Sequence, residues 1–146
     1  MKKSDAYYVV IVGCGRLGAS LANRMSAGGH SVVVIDSDPS AFDGLSVEFS
    51  GFRVEGNGTE SNVLRQAKVR QADILIASTS EDNINLMVAQ LASKIYGVPH
   101  VVARIFDPKR EQTFRVLGVE TICPTVIASD VLLDSIAGSI THKKRD

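Results

Sequence analysis

Cysteine is scarce in this chain, and the two it has, Cys14 and Cys123, lie far apart with no C-x-x-C and no histidine at ligand spacing. That indicates neither a zinc site nor a disulfide framework, and both thiols are expected to be small buried hydrophobes. An excess of either charge is also missing: Lys plus Arg and Asp plus Glu number 16 each, which leaves no electrostatic footprint for nucleic acid. No apolar run is long enough to span a bilayer, and the N-terminal MKKSDAYYVVIVG has too short an apolar segment and no small-residue cleavage pattern. The expectation is a soluble, cytoplasmic protein with no direct membrane insertion. The one basic cluster, the terminal HKKRD, reads as a solvated end, with a phosphate-binding or membrane-surface tail as the alternative.

Low-complexity segments and internal linkers are absent as well, while 45% of the residues are hydrophobic. A chain of 146 residues suffices for one domain with a real core and is short for two. One domain over 1–146 is therefore expected, with a core at 6–124 and a terminal helix at 125–141.

Apolar β-branched runs alternate with helical patterns. YYVVIV (7–12) and SVVVID (31–36) read as strands buried on both faces, joined by a helix that begins near Arg16 and ends at AGGH. A short helix opened by Ser40, a strand at FRVEG, a helix capped by Thr59 and a strand at ADILIAST (72–79) follow. EDNINLMVAQLASKIYG reads as a long amphipathic helix, HVVARIF as a fifth strand, DPKREQTFRVLG as a helix with Asp107 as cap, and ETIC as a sixth strand. Strict β/α alternation predicts a doubly wound, Rossmann-like parallel sheet of order 3-2-1-4-5-6.

The first turn reads GCGRLG. Gly13 permits the tight exit from the strand, Gly15 lets the backbone approach a ligand, and Gly18 lets the helix pack on the sheet. Free N–H groups at the helix start then face a pyrophosphate, so Gly13, Cys14, Gly15, Arg16, Leu17 and Gly18 are candidate contacts. Asp36, beside Ser37 at the tip of the second strand, stands 21 residues after Gly15, where a carboxylate accepts from both ribose hydroxyls and repels the 2′-phosphate of NADP. The competing role for Asp36 is a helix cap or solvated turn, for which Asp38 is the better candidate. Ser78, Thr79 and Ser80 end the fourth strand at the same edge; Thr79 and Ser80 either reach ribose or phosphate or cap the helix at 82.

Gly13–Gly18, Asp36, EGNGT, ASTSEDNIN and VVARIFDP…FRVLGVETICP, in that order, resemble the TrkA-N or RCK (KTN) domains that regulate potassium channels and transporters. The resemblance covers Tyr8 to the end. It implies a cytoplasmic sensor without turnover, which binds an adenine nucleotide (NAD or NADH, or else AMP, ADP or ATP) and changes how paired domains are arranged. It further implies that Arg16 reaches phosphates, often across a dimer interface, a role suited to a guanidinium fork. The second signature stands as Gly56, Asn57, Gly58 and Thr59, with Asn57, able to donate and accept, where relatives carry Asp near the adenine. Asn85 falls where the family pattern has its Asn, and Arg104 where relatives face phosphate; a salt bridge from Arg104 to Asp82 or Glu81 is the alternative.

On a helical wheel Val126, Leu132, Leu133, Ile136, Ala137 and Ile140 form one wide apolar stripe of the terminal helix, and Ile127 and Val131 a second. Two stripes imply a second packing partner. In the family this helix crosses to a neighbouring subunit, so a homodimer or larger ring is expected, attached to a membrane-embedded potassium transporter or channel subunit. Most full-length relatives continue into a second domain, so the chain is expected to be a natural short form or an excised domain.

The alternative is the cofactor half of an NAD-dependent oxidoreductase. Against it, His30 and His100 fall at the amino edge of the sheet and His142 in the tail, and no Ser or Cys has a base at readable spacing.

Overall fold

The structure is a computed structural model that describes residues 6–145, with side chains to residue 139. The HKKRD cluster, His142 and the side chain of Ile140 lie outside what is described. Six strands, β1 (Tyr8–Val12), β2 (Ser31–Asp36), β3 (Phe52–Glu55), β4 (Ile74–Ala77), β5 (His100–Arg104) and β6 (Glu120–Ile122), form one parallel sheet of order β3-β2-β1-β4-β5-β6. Five α-helices connect or follow them: α1 (Arg16–Ala27), α2 (Ser61–Gln66), α3 (Asp82–Gln90), α4 (Glu111–Val116) and α5 (Pro124–Arg145). Among the described residues no helix is long and apolar enough to cross a membrane.

Alternation along the central strands builds two cores. Val9 and Ile11 of β1 and Val32 and Val34 of β2 face Ala19 and Ala22 of α1. Val10, Val12, Val33 and Ile35 face the opposite way, into the larger core with Leu64, Val88 and Phe114. Residues 9–12 of β1 and 32–35 of β2 are all buried, because a parallel strand covered on both faces has no solvent side.

The connections depart from expectation in detail. Pro39–Gly44 is a 3₁₀ turn whose cap is Asp38, not Ser40: the Asp38 carboxylate accepts from Ser40 N at 2.9 Å and Ser40 Oγ at 2.8 Å. Those bonds hold its pKa below the ordinary carboxylate value. Thr59 does not cap α2; its N–H and hydroxyl both donate to Asn57 Oδ1, at 2.9 and 2.7 Å, in an Asx turn. The long helix after β4 ends as a π-helical segment, Leu91–Ile95. Asp107 does cap its turn, accepting from Lys109 N at 3.0 Å, with Pro108 first.

The terminal helix differs most. Val126 alone of its expected wide stripe is half-buried against the core. Leu132 and Leu133 are each 62% exposed and Ile136 51%, so beyond Val126 the described residues of the two stripes do not lie on the chain's own sheet. α5 starts at the β6 edge, where no further strand offers a face to cover.

Candidate functional site

The carboxyl ends of β1, β2 and β4 meet in a crevice of about 430 Å³, at the point where strand order reverses on either side of β1. Of the residues proposed from sequence, Gly13, Gly15, Asp36, Ser37, Asn57, Gly58, Ser78, Thr79, Ser80 and Arg104 line it.

The glycine turn is shaped by contact. Gly13 has φ +106°, and a Cβ there would sit 2.7 Å from backbone atoms of Ser78 and Thr79. A Cβ on Gly18 would fall 1.9 Å from Gly13 O, so α1 can lie this close to β1 only with glycine. Gly15 is different: its backbone is ordinary (φ −75°, ψ −163°), and a Cβ would meet nothing within 4 Å. The space over Gly15 is therefore open, at the rim of the crevice. The first bond of α1 runs from Ala19 N to Gly15 O at 2.8 Å, so the N–H groups of Arg16, Leu17 and Gly18 have no helical acceptor. A helix start of this form, open over Gly15, fits a phosphate.

Asp36 is built into the turn. Its Oδ2 accepts from Cys14 N at 2.7 Å and its Oδ1 from Asp38 N at 2.9 Å. Each carboxylate oxygen keeps a second acceptor site, so the group is oriented for hydroxyl donors rather than used up. Cys14 is buried as expected, 3% exposed, while its N–H is taken by Asp36 rather than left free. Burial, followed by the charge of Asp36, pushes the thiol pKa up.

Asn57 presents one face only. Its carbonyl oxygen serves Thr59, leaving the amide donor, and Thr59 itself stands outside the crevice lining. Ser78 lines the crevice through its main chain, since its buried hydroxyl donates back to Gly13 O at 3.2 Å. Thr79 takes a turn role, its Oγ1 accepting from Glu81 N at 3.3 Å.

Asn85 is 0% exposed, and its amide is taken up within the chain. Its Oδ1 accepts from Thr79 N at 2.9 Å and Thr79 Oγ1 at 2.6 Å, while Nδ2 donates to Thr79 O at 3.1 Å and Arg104 O at 2.9 Å. It clamps the end of β4 to the end of β5. Arg104 forms no salt bridge to Asp82 or Glu81: Nη2 donates to Ser78 O and Thr79 O, both at 2.9 Å, and its guanidinium lies 4.4 Å over the Phe106 ring. Asp82 instead accepts from Phe106 N at 2.8 Å and Asp107 N at 3.2 Å. Arg104 Nε is buried without a partner, and burial lowers the pKa of the group, offset in part by Asp82.

Arg16 and Leu17 stand apart. Arg16 is exposed and borders a second open cleft, along α1 with Ser20, Asn23 and Arg24, that shares Gly15 with the crevice. The sequence reading missed Ile84 and Ala41, apolar walls of the crevice, and its further acids Asp38 and Glu81. Ile84 carried a signal, since it stands two residues into α3 between polar neighbours.

Comparisons with known proteins agree with this architecture. The family model for the TrkA-N domain matches residues 9–125. The chain is 40% identical over 126 residues to a Trk system potassium uptake protein TrkA of Streptomyces coelicolor, covering 86% of this chain and 56% of that one. It spans about half the length of the curated relatives it matches. Among solved structures, the AMP-bound Kef C-terminal domain of Shewanella denitrificans superposes with a TM-score of 0.77 at 25% identity, over 92% of this chain and 81% of that one. The TrkA-N domain of the Escherichia coli inner membrane protein ybaL gives 0.78 at 19%, over 88% and 96%. With the glycine turn, Asp36 and the sheet order all in place, the chain belongs to the TrkA-N domain family.

Proposed function

We propose that the chain is a nucleotide-sensing regulatory module of a potassium transporter or channel. The observation that carries this is the crevice, where an open glycine cradle, unpaired helix-start N–H groups and an oriented Asp36 converge at the strand-order reversal. The ligand is an adenine nucleotide: NAD or NADH is the expected form, and AMP, ADP and ATP satisfy the same half-site. Phosphate sits over Gly15, ribose hydroxyls donate to Asp36, and the base lies between Ile84 and Ala41 near the Asn57 amide. The AMP-bound relative and the TrkA relatives support this reading.

Binding without turnover is part of the same reading; the titratable groups of the crevice lining are Asp36, Asp38, Glu81 and Arg104. The module pairs through the exposed apolar faces of α5 as a homodimer or larger ring, and meets a membrane-embedded partner at the cytoplasmic face. Nucleotide then acts by favouring one arrangement of the paired domains, aided by a partner subunit's guanidinium at position 16. Calorimetric titration with NAD, NADH, AMP, ADP and ATP, followed by absorbance for hours in NADH, tests both parts. Saturable binding with constant NADH is expected; substrate-dependent oxidation of NADH would return the chain to the oxidoreductases.

A further inference from the structure

Resting on the nucleotide reading above, we infer that the crevice takes 6-oxopurine nucleotides at least as readily as adenine nucleotides, and that Asn57 sets this preference. The residue reads the base through a hydrogen-bond donor alone.

Asn57 stands in a turn with little freedom. Gly56 N bonds Asp36 O at 3.0 Å, which ties the turn to the end of β2. A Cβ on Gly56 would stand 2.6 Å from Val63 Cγ2 of α2, and one on Gly58 would stand 2.5 Å from Val12 Cγ1 at the end of β1. The two glycines therefore seat the backbone directly on neighbouring side chains, and Asn57 is carried between them on the wall of the crevice.

The side chain is oriented as firmly as the backbone. A main-chain N–H can only donate, so the atom that Thr59 N meets at 2.9 Å is the carbonyl oxygen, Oδ1. Thr59 Oγ1 donates to the same oxygen at 2.7 Å, and the two bonds use both of its lone pairs. Nδ2 forms no hydrogen bond among the described residues, so amide donors are what Asn57 has left for a ligand.

An asparagine that recognises adenine with both ends of its amide accepts from the N6 amino group and donates to N7. Here the accepting end is spent within the turn. The N6 amino group is itself a donor and gains nothing from Nδ2, whereas O6 of a 6-oxopurine is an acceptor beside N7, and both suit an amide donor. Adenine keeps N7 or N1 as a partner, so it still binds but is not preferred. Position 6 belongs to both the Watson–Crick and the Hoogsteen edge, so either edge turned to Asn57 brings it to the same amide.

Asn57→Asp inverts the pattern and keeps the turn, because one carboxylate oxygen still accepts from Thr59 and the other becomes an acceptor for N6. Calorimetric titration of the full chain with AMP and IMP, and with NAD and nicotinamide hypoxanthine dinucleotide, compares ligands of equal phosphate charge, so the added charge of the variant cancels within each pair. Wild type is expected to bind the hypoxanthine member at least as tightly as the adenine member, and Asn57→Asp to move the ratio about tenfold toward adenine. Preference of wild type for the adenine member, or a ratio unchanged in Asn57→Asp, overturns the role of Asn57 and leaves the nucleotide reading in place. Binding of neither member of either pair overturns the nucleotide reading and this inference with it.

Discussion

Truncating Asn85 to alanine removes four hydrogen bonds from a side chain with no solvent contact. Thr79 O keeps its bond from Arg104 Nη2, and the Thr79 hydroxyl can turn to Glu81 O at 3.3 Å. The Thr79 N–H and the Arg104 carbonyl lose the amide that satisfied them. An orphaned polar group costs about 1–3 kcal/mol, so two of them and a small void amount to about 2–5 kcal/mol. For a chain of this size that lowers Tm by about 5–15 °C. Asn85→Asp sharpens the test. It keeps the acceptor toward Thr79 and sets a carboxylate against the two carbonyls that the amide served, so at neutral pH it is expected to be at least as destabilised. Its deficit relative to wild type should shrink as pH falls, because burial raises the carboxyl pKa in the folded state and the protonated acid donates one bond. Urea unfolding from pH 4 to 8 measures both variants. A loss below about 1 kcal/mol for Asn85→Ala would refute the clamp.

Three other outcomes follow from the same geometry. Gly18→Ala sets a methyl 1.9 Å from Gly13 O and is expected to cost more than about 3 kcal/mol, read as loss of the cooperative thermal transition or a fall of more than about 8 °C. The Cys14 thiol, buried and pushed up in pKa, should react with a disulfide reagent at neutral pH far more slowly than in urea; equal rates would contradict its placement. Leu133→Glu on the exposed face of α5 should shift sedimentation toward monomer with Tm of the monomeric core unchanged, whereas an unchanged mass would remove α5 from the interface.

How much of this was legible depended on whether a residue's role is local. β2 was readable to the residue because Ser31–Asp36 is apolar between a glycine turn and an acid. Gly13, Gly18 and the sheet order were readable because spacing and alternation carry them. Asn85 was proposed from the family pattern and Ser78 from its place at the end of the fourth strand; tertiary neighbours hold the amide of the one and the hydroxyl of the other, which local sequence does not show. Arg104 similarly turns to two carbonyls and the Phe106 face rather than to a carboxylate, a choice that the order of β4 and β5 sets and local sequence does not. α5 showed two apolar stripes, but that both face away from the sheet depends on its start at an edge strand.

The most direct test of the nucleotide site is calorimetric titration of wild type and Gly15→Val side by side. The Gly15 backbone suits any residue and its surroundings are open, so the variant should fold with Tm within about 2 °C of wild type. On the proposed placement its side chain enters the space that phosphate would take, so the adenine nucleotide that saturates wild type should bind the variant about 100-fold or more weakly. Equal affinity in the two proteins, or no saturable binding by wild type, would contradict the account.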